Sequence, residues 1–307
     1  MNKFIVVASQ VAVLFLLMLV GVICNKAKLL TKEANKRISD LVVIIVAPCV
    51  IIKSFIREFD PKMLKLLGIA LLIAFLSHAV MILLSYLLIK DKDASRRKVM
   101  VFGSVFSNAG FVALPLQEAL LGADGVFFGA AYLVVFNILL WSWGVSHMSG
   151  DKGKMTFSKI LFSPGIIGIV VGMIIFIFSL KIPEVINTTL THIAALNTPL
   201  PMIVVGYYLA QTDFKKAIKD YKSYICMFLR LILFPLLALF IFYICGVDKN
   251  MLVAMIIAIS SPVGATATMF SEKFSKDTVL SVQLVSVTTL LSMITMPFIV
   301  GLAQTLV

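Results

Sequence analysis

Two short stretches hold most of the residues able to do chemistry in this chain, and both interrupt long apolar runs. Ser107, Asn108, Gly110 and Pro115 lie in SNAGFVALP, and Ser260, Ser261, Pro262, Gly264 and Thr266 lie in ISSPVGAT. Proline lacks the N–H a helix needs and disfavours helical geometry in the residue before it, while glycine lowers the cost of a non-helical turn. Each run is therefore expected to break, the first between about Asn108 and Leu114 and the second at Ser260 to Gly264. A broken helix presents free N–H groups and about half a positive charge at the start of its second half. With Asn, Ser and Thr as neutral donors and acceptors beside it, the chemistry on offer is binding of an anion, a carboxylate above all. Such a site needs no buried ammonium or guanidinium.

Other chemistry has no equipment here. Cys24, Cys49, Cys226 and Cys245 show no Cys-x-x-Cys spacing, and His78, His147 and His192 are scattered. No H-E-x-x-H, G-x-S-x-G or glycine-rich phosphate loop is present, so neither an enzyme, a metal site nor a cofactor is expected. The net charge of +12 would suggest nucleic acid in a soluble protein. Here it is read as loop orientation in a bilayer, with no nucleic-acid partner.

The elements that position these residues are membrane spans. The chain is 61% hydrophobic and 14% charged, with a mean hydropathy of +1.06, far above ordinary soluble domains. Apolar runs long enough to cross ~30 Å of hydrocarbon recur along all 307 residues, so residues 1–307 form one membrane unit. The runs fall near 4–23, 37–54, 62–89, 98–119, 124–146, 163–180, 185–209, 223–245, 250–271 and 277–304. The fold class is thus all-α integral membrane, with ten transmembrane helices and breaks in helices four and nine. The first run is read as a span rather than a signal peptide, because it is too long and lacks a small-residue cleavage site. Lys and Arg number 19 in the odd connections and 7 in the N-terminus and even connections. By the positive-inside rule both termini lie outside a multi-pass inner (plasma) membrane protein.

The two halves answer each other. Pro48 and Pro199 are 151 residues apart, and Asp124 and Asp277 are 153 apart. Five crossings per half is an odd number, so repeats 1–152 and 153–307 are inverted, an arrangement typical of secondary transporters. Equivalent breaks in inverted halves should meet near the midplane. Asn137 falls on the repeat position of Thr288 or Thr289, which makes it a candidate substrate contact. Ser281, Thr288, Ser292 and Thr295 share one helix face and read as close packing.

Arg230 is the only basic residue well inside a span. It either snorkels to the interface or serves as an anion entry or gate residue. His78, in the middle of span three, is either a hydrogen-bonded neutral imidazole or a proton carrier. Glu118 and Asp124 are expected to be solvated at the outer surface.

VFSNAGFVALPLQEALLGADGVFFGAAYLVVFNILLWSWG and AISSPVGATATMFSEKFSKDTVLSVQLVSVTTLLSMITMPF resemble the two signature regions of the auxin efflux carrier family. NTPLPMIVVGYYLA and ISDLVVIIVAPCVI fit the same pattern, so the resemblance spans nearly the whole chain. It implies a transporter of a small organic anion, of the malate or malonate type found among bacterial members. It also implies an elevator-type mechanism, in which a bundle of helices 3–5 and 8–10 moves against a scaffold of 1, 2, 6 and 7. An architecture related to the bile acid:sodium symporters and a homodimer in the lipid bilayer are implied too. On this resemblance Asn108 takes the family's Asn at the first break, Pro262 and Gly264 take the second, and Asn137 and Trp141 take the polar and aromatic positions of span five. Ser260 and Ser261 stand where plant members usually place an Asn, and the long central loop of many plant members is absent. Two rivals keep their place: a sodium- or proton-coupled symporter of the same fold, and a membrane receptor that binds its ligand without moving it.

Overall fold

A computed structural model describes residues 3–150, 163–212 and 214–306. The expected repeat boundary at 152/153 and the Lys residues of the 152–159 connection lie outside the described residues. Everything described is helix, turn or loop, and among the described residues no strand forms. Six helical segments are long and apolar enough to cross a membrane: Phe4–Lys26, Pro61–Leu88, Ala109–Ser149, Glu184–Leu209, Tyr221–Ile244 and Thr278–Leu306. Shorter apolar helices run over Pro164–Ile177 and Lys249–Ser260. Ala109–Ser149 is itself bent at Gly122, whose φ of 60° and ψ of −142° no helix permits. The left-handed φ there favours glycine.

Pro115 does not break its helix, and neither do Pro48 and Pro235. Val42–Val46, Ala109–Ala113 and Leu229–Leu233 are π-helical turns, each followed two residues later by a proline, Pro48, Pro115 and Pro235. A helical proline clashes with the carbonyl four residues back, and the wider turn moves that carbonyl away. Pro115 therefore sits inside a continuing helix, and the first break lies earlier than expected. The half-helix Ala94–Val105 ends, Phe106 turns extended (φ −94°, ψ 104°), Asn108 stays non-helical, and helix resumes at Ala109.

The second break matches it. Lys249–Ser260 is a half-helix of 12 residues, as is Ala94–Val105. Each starts from an aspartate whose carboxylate accepts two backbone N–H groups: Asp93 from Ser95 and Arg96, and Asp248 from Asn250 and Met251. Such caps satisfy donors that a helix start leaves free. Every residue from Met251 to Ser261 is at most 1% exposed, so this half-helix is apolar all round because it is core, not because it faces lipid.

The two breaks meet. Ser107 and Val263 form an antiparallel bridge, in which the Asn108 N–H donates to the Pro262 carbonyl at 2.7 Å and the Gly264 N–H to the Phe106 carbonyl at 3.0 Å. The Val263 N–H donates to the Thr288 hydroxyl at 3.0 Å. In a bilayer each of these groups left unpaired would cost several kcal/mol, ~2 or more. The pairing is therefore what lets two helices be open at this depth. Gly264 is required by contact, since a Cβ there would lie 2.7 Å from the Ser107 carbonyl oxygen.

Around this crossing the other helices pack in pairs. The first helix and Pro199–Leu209 approach backbone to backbone, with Gly21 against Ile203 and Gly206 against Met18. Ala47–Ser54 lies on Pro164–Ile177, where Gly168 faces Pro48 and Gly172 faces Phe55. Small residues at such contacts are the usual way for membrane helices to come close.

Candidate functional site at the helix crossover

One face of the crossing looks into a cavity of about 10 Å³, room for one water. Asn108, Phe111 and Ala265 line it from the broken helices, Val285, Ser286 and Thr289 from Thr278–Leu306, and Val204 and Tyr208 from Pro199–Leu209. Asn108 is 5% exposed, and among the described residues its Nδ2 is buried without a hydrogen-bond partner. Its backbone is spoken for, because the carbonyl accepts from Val112 at 3.0 Å and the N–H goes to Pro262. The side-chain amide is thus a positioned, unused donor. The Thr266 hydroxyl is likewise buried and unpartnered, at the first position of the helix Thr266–Lys273. The first intrahelical donor there is the Ala267 N–H, which reaches the Gly264 carbonyl at 2.9 Å, and with the Val263 and Gly264 N–H groups spent on Thr288 and Phe106 those of Ala265 and Thr266 are left over at the helix start. No lining residue is charged. Neutral donors and a positive helix end favour an anion over a cation.

The structure brings together only part of the expected set. Ser260 and Ser261 are fully buried, but both hydroxyls donate to the Ile257 carbonyl, at 3.3 and 2.9 Å, and so close their own half-helix. Ser107 lies against the Tyr132 hydroxyl at 3.4 Å, behind the crossing. Asn137 spends its Nδ2 on the Leu133 carbonyl at 2.8 Å and does not line the cavity. Trp141 packs on Phe270 and lies beneath the Lys273 ammonium. Gly110 has open space where a Cβ would go. Pro262 supplies the carbonyl that anchors Asn108, whereas Pro115 shapes the following helix. Thr289 lines the cavity while Thr288 holds the break. Tyr208 and Ser286 are additions that no spacing signalled, because they reach the cavity only through the packing of helices distant in sequence.

Arg230 is not at an entrance, nor does it snorkel. It is 0% exposed, and its guanidinium donates to the Ser104 and Val105 carbonyls, both at 3.1 Å, and to the Ile259 carbonyl. The π-turn Leu229–Leu233 carries it there. It lies behind the crossing, on the C-terminal ends of both half-helices. His78 is nearby and also fully buried, with its Nδ1 donating to the Ala74 carbonyl at 2.8 Å and its ring 4.8 Å from that of Tyr132.

The outer ends of the half-helices are tied crosswise. Arg96, at the start of the first, pairs with Asp277 at 3.4 Å and with Asp220 at 2.6 Å. Asn250, at the start of the second, donates to Asp124 at 3.2 Å. Asp124 also pairs with Arg57 at 2.7 Å, so it is not the free solvated carboxylate that its loop suggested. Beside Arg96, the Asp91 carboxyl is held below the usual carboxylate range, first by the Asp93 N–H it accepts and then by Lys222 and Arg96.

A crossing of two broken, apolar helices beside an uncharged cavity is consistent with the membrane transport family that sequence comparison finds. The profile of the family described as membrane transport protein matches residues 6–300. The chain belongs to that family. It is a multi-pass membrane transport protein rather than an enzyme. An uncharacterized transporter of Methanothermobacter thermautotrophicus is 22% identical to it over 285 residues, covering 92% of this chain and 93% of that protein.

Proposed function

We propose that this membrane transport protein is a secondary transporter of a small organic anion, a mono- or dicarboxylate of the malate or malonate type. The observation that carries the reading is the unpartnered Asn108 amide, on a residue held at the crossing by its own backbone and lining an uncharged cavity. A substrate carboxylate would accept from Asn108 Nδ2, the Thr266 hydroxyl and the free N–H groups of the helix start. Charge-assisted bonds of this kind are worth roughly 1.5–3 kcal/mol each.

The same reading takes the chain as ten crossings in two inverted halves. Matched half-helices, matched aspartate caps and the reciprocal ties Arg96–Asp277 and Asn250–Asp124 are what an inverted repeat would produce. The likeness to the auxin efflux carriers, and through them to the bile acid:sodium symporters, belongs to this proposal. The cavity lies between the crossing and Pro199–Leu209, which is paired with the first helix. That is the boundary between a bundle of helices 3–5 and 8–10 and a scaffold of 1, 2, 6 and 7. Room for one water admits no dicarboxylate, and in this reading loading opens the cavity by moving the bundle against the scaffold, as an elevator does. The protein would sit in the plasma membrane with both termini outside and Lys-rich loops in the cytoplasm.

Purified protein in liposomes tests this. Labelled malonate or malate should accumulate with time above protein-free vesicles, and Asn108→Asp should abolish the difference. Saturable binding without accumulation would make the protein a receptor instead.

A further inference from the structure

Behind the crossing, the arrangement around Arg230 poses a charge problem. A guanidinium that is 0% exposed needs compensation, yet among the described residues no carboxylate pairs with it. The side chains beside it, His78, Tyr132 and Cys226, are not carboxylates. Its terminal nitrogens donate to carbonyls, Ser104 and Val105 at the end of one half-helix and Ile259 at the end of the other, with the Met81 sulfur at 3.9 Å and the Tyr132 hydroxyl also beside it, while Nε has no partner. Each helix C-terminus carries about half a negative charge. Two of them together offset one guanidinium.

Transporters with broken helices commonly hold a coupling cation on such carbonyl ends. Here that place is filled by a side chain. We infer that Arg230 is a tethered cation occupying the position where a coupling sodium ion would otherwise bind, so that the anion site is complete without any free cation. This rests on the anion-transport reading for its functional consequence, but the occupancy of the carbonyl cage does not. The guanidinium also explains why the two half-helices stay in register: one planar group with several donors bonds both ends at once, which a lysine ammonium at the tip of a flexible stem does less well.

The test compares wild type, Arg230→Ala and Arg230→Lys, each purified and shown to be monodisperse. Melting temperature and labelled-malonate binding are measured in choline, sodium and choline plus about 10 mM guanidinium, a concentration at which only specific occupancy stabilises. The wild type should melt at the same temperature in sodium and in choline and bind malonate equally in both. Arg230→Ala should melt lower, recover part of the loss in guanidinium, and bind malonate at least 10-fold more weakly until guanidinium or sodium is supplied. Arg230→Lys should lie between the two. A wild type that melts higher in sodium, or binds malonate only in sodium, would overturn the inference. So would an Arg230→Ala protein that melts and binds like wild type in choline. If Arg230→Ala cannot be purified, the sodium arm on wild type and the guanidinium arm on Arg230→Lys decide alone. Wild type that shows no malonate binding in any buffer would count against the substrate reading, while the melting data would still judge the cage.

Discussion

The crossing predicts opposite outcomes for the two glycines of the breaks. A Cβ at Gly264 would lie 2.7 Å from the Ser107 carbonyl oxygen and 3.1 Å from its carbon, about 0.6 Å inside the ~3.3 Å at which carbon and carbonyl oxygen ordinarily meet. Both partners are backbone, so neither can swing aside. Relief requires the two chains to part, which strains the Gly264-to-Phe106 and Asn108-to-Pro262 hydrogen bonds together. Leaving one or two buried backbone pairs unmade costs ~1–3 kcal/mol each, so Gly264→Ala should destabilise by roughly 2–4 kcal/mol. Gly110 has nothing within 4 Å of its virtual Cβ and a negative φ, so Gly110→Ala should be neutral or gain up to ~1 kcal/mol from reduced chain freedom. Thermal unfolding of the purified variants, followed by intrinsic fluorescence, reads both. If the two alanine variants melt alike, the backbone contact at the crossing is not what orders it.

Asn108→Ala should weaken carboxylate binding by roughly 10- to 100-fold through loss of one or two bonds to a charged group, and Asn108→Asp should weaken it further by placing a like charge against the substrate. Asn137→Ala should leave affinity unchanged, because that amide is spent on Leu133; isothermal titration separates the three. In a Cys245→Ser background, Lys92→Cys and Lys276→Cys should resist an impermeant thiol reagent in intact cells while Lys181→Cys is labelled, and the reverse pattern would invert the orientation. Since the Asp91 carboxyl is held below its usual value, its contribution is present above the unfolded pKa of ~3.9 and is lost as pH falls through the lower folded value. Asp91→Asn should therefore lower the melting temperature at pH 7 and approach wild type only as pH falls from ~3.9 through the lower folded value, a comparison made across one buffer series.

Apolar runs, helix breaks and their partnership were legible in the sequence, because hydropathy sets length and Gly and Pro punctuate it, whereas the Asp93 and Asp248 caps emerged only in the structure. The exact break was not. Pro115 looked like the interruption, yet a π-turn absorbs it, and the opening falls at Phe106 to Asn108. Ser260 and Ser261 looked like ligands, but a serine near a helix end can spend its hydroxyl on its own carbonyls, as these do. Arg230 was visible as an anomaly without a place, since its partners are backbone carbonyls more than a hundred residues away for Ser104 and Val105. Residue type gives no sign of such partners. Tyr208, Ser286 and Thr289 became neighbours of Asn108 only through the crossing itself.

The central claim is that a carboxylate binds between the crossing and Pro199–Leu209. Ala265 lines that cavity, so the alkylation rate of Ala265→Cys in the presence of malonate, malate or acetate, against their neutral amides, tests it most directly. At least one carboxylate should slow alkylation in a saturable manner while its amide does not. Equal rates with every carboxylate and every amide, in a variant that still takes up substrate into liposomes, would place the anion elsewhere.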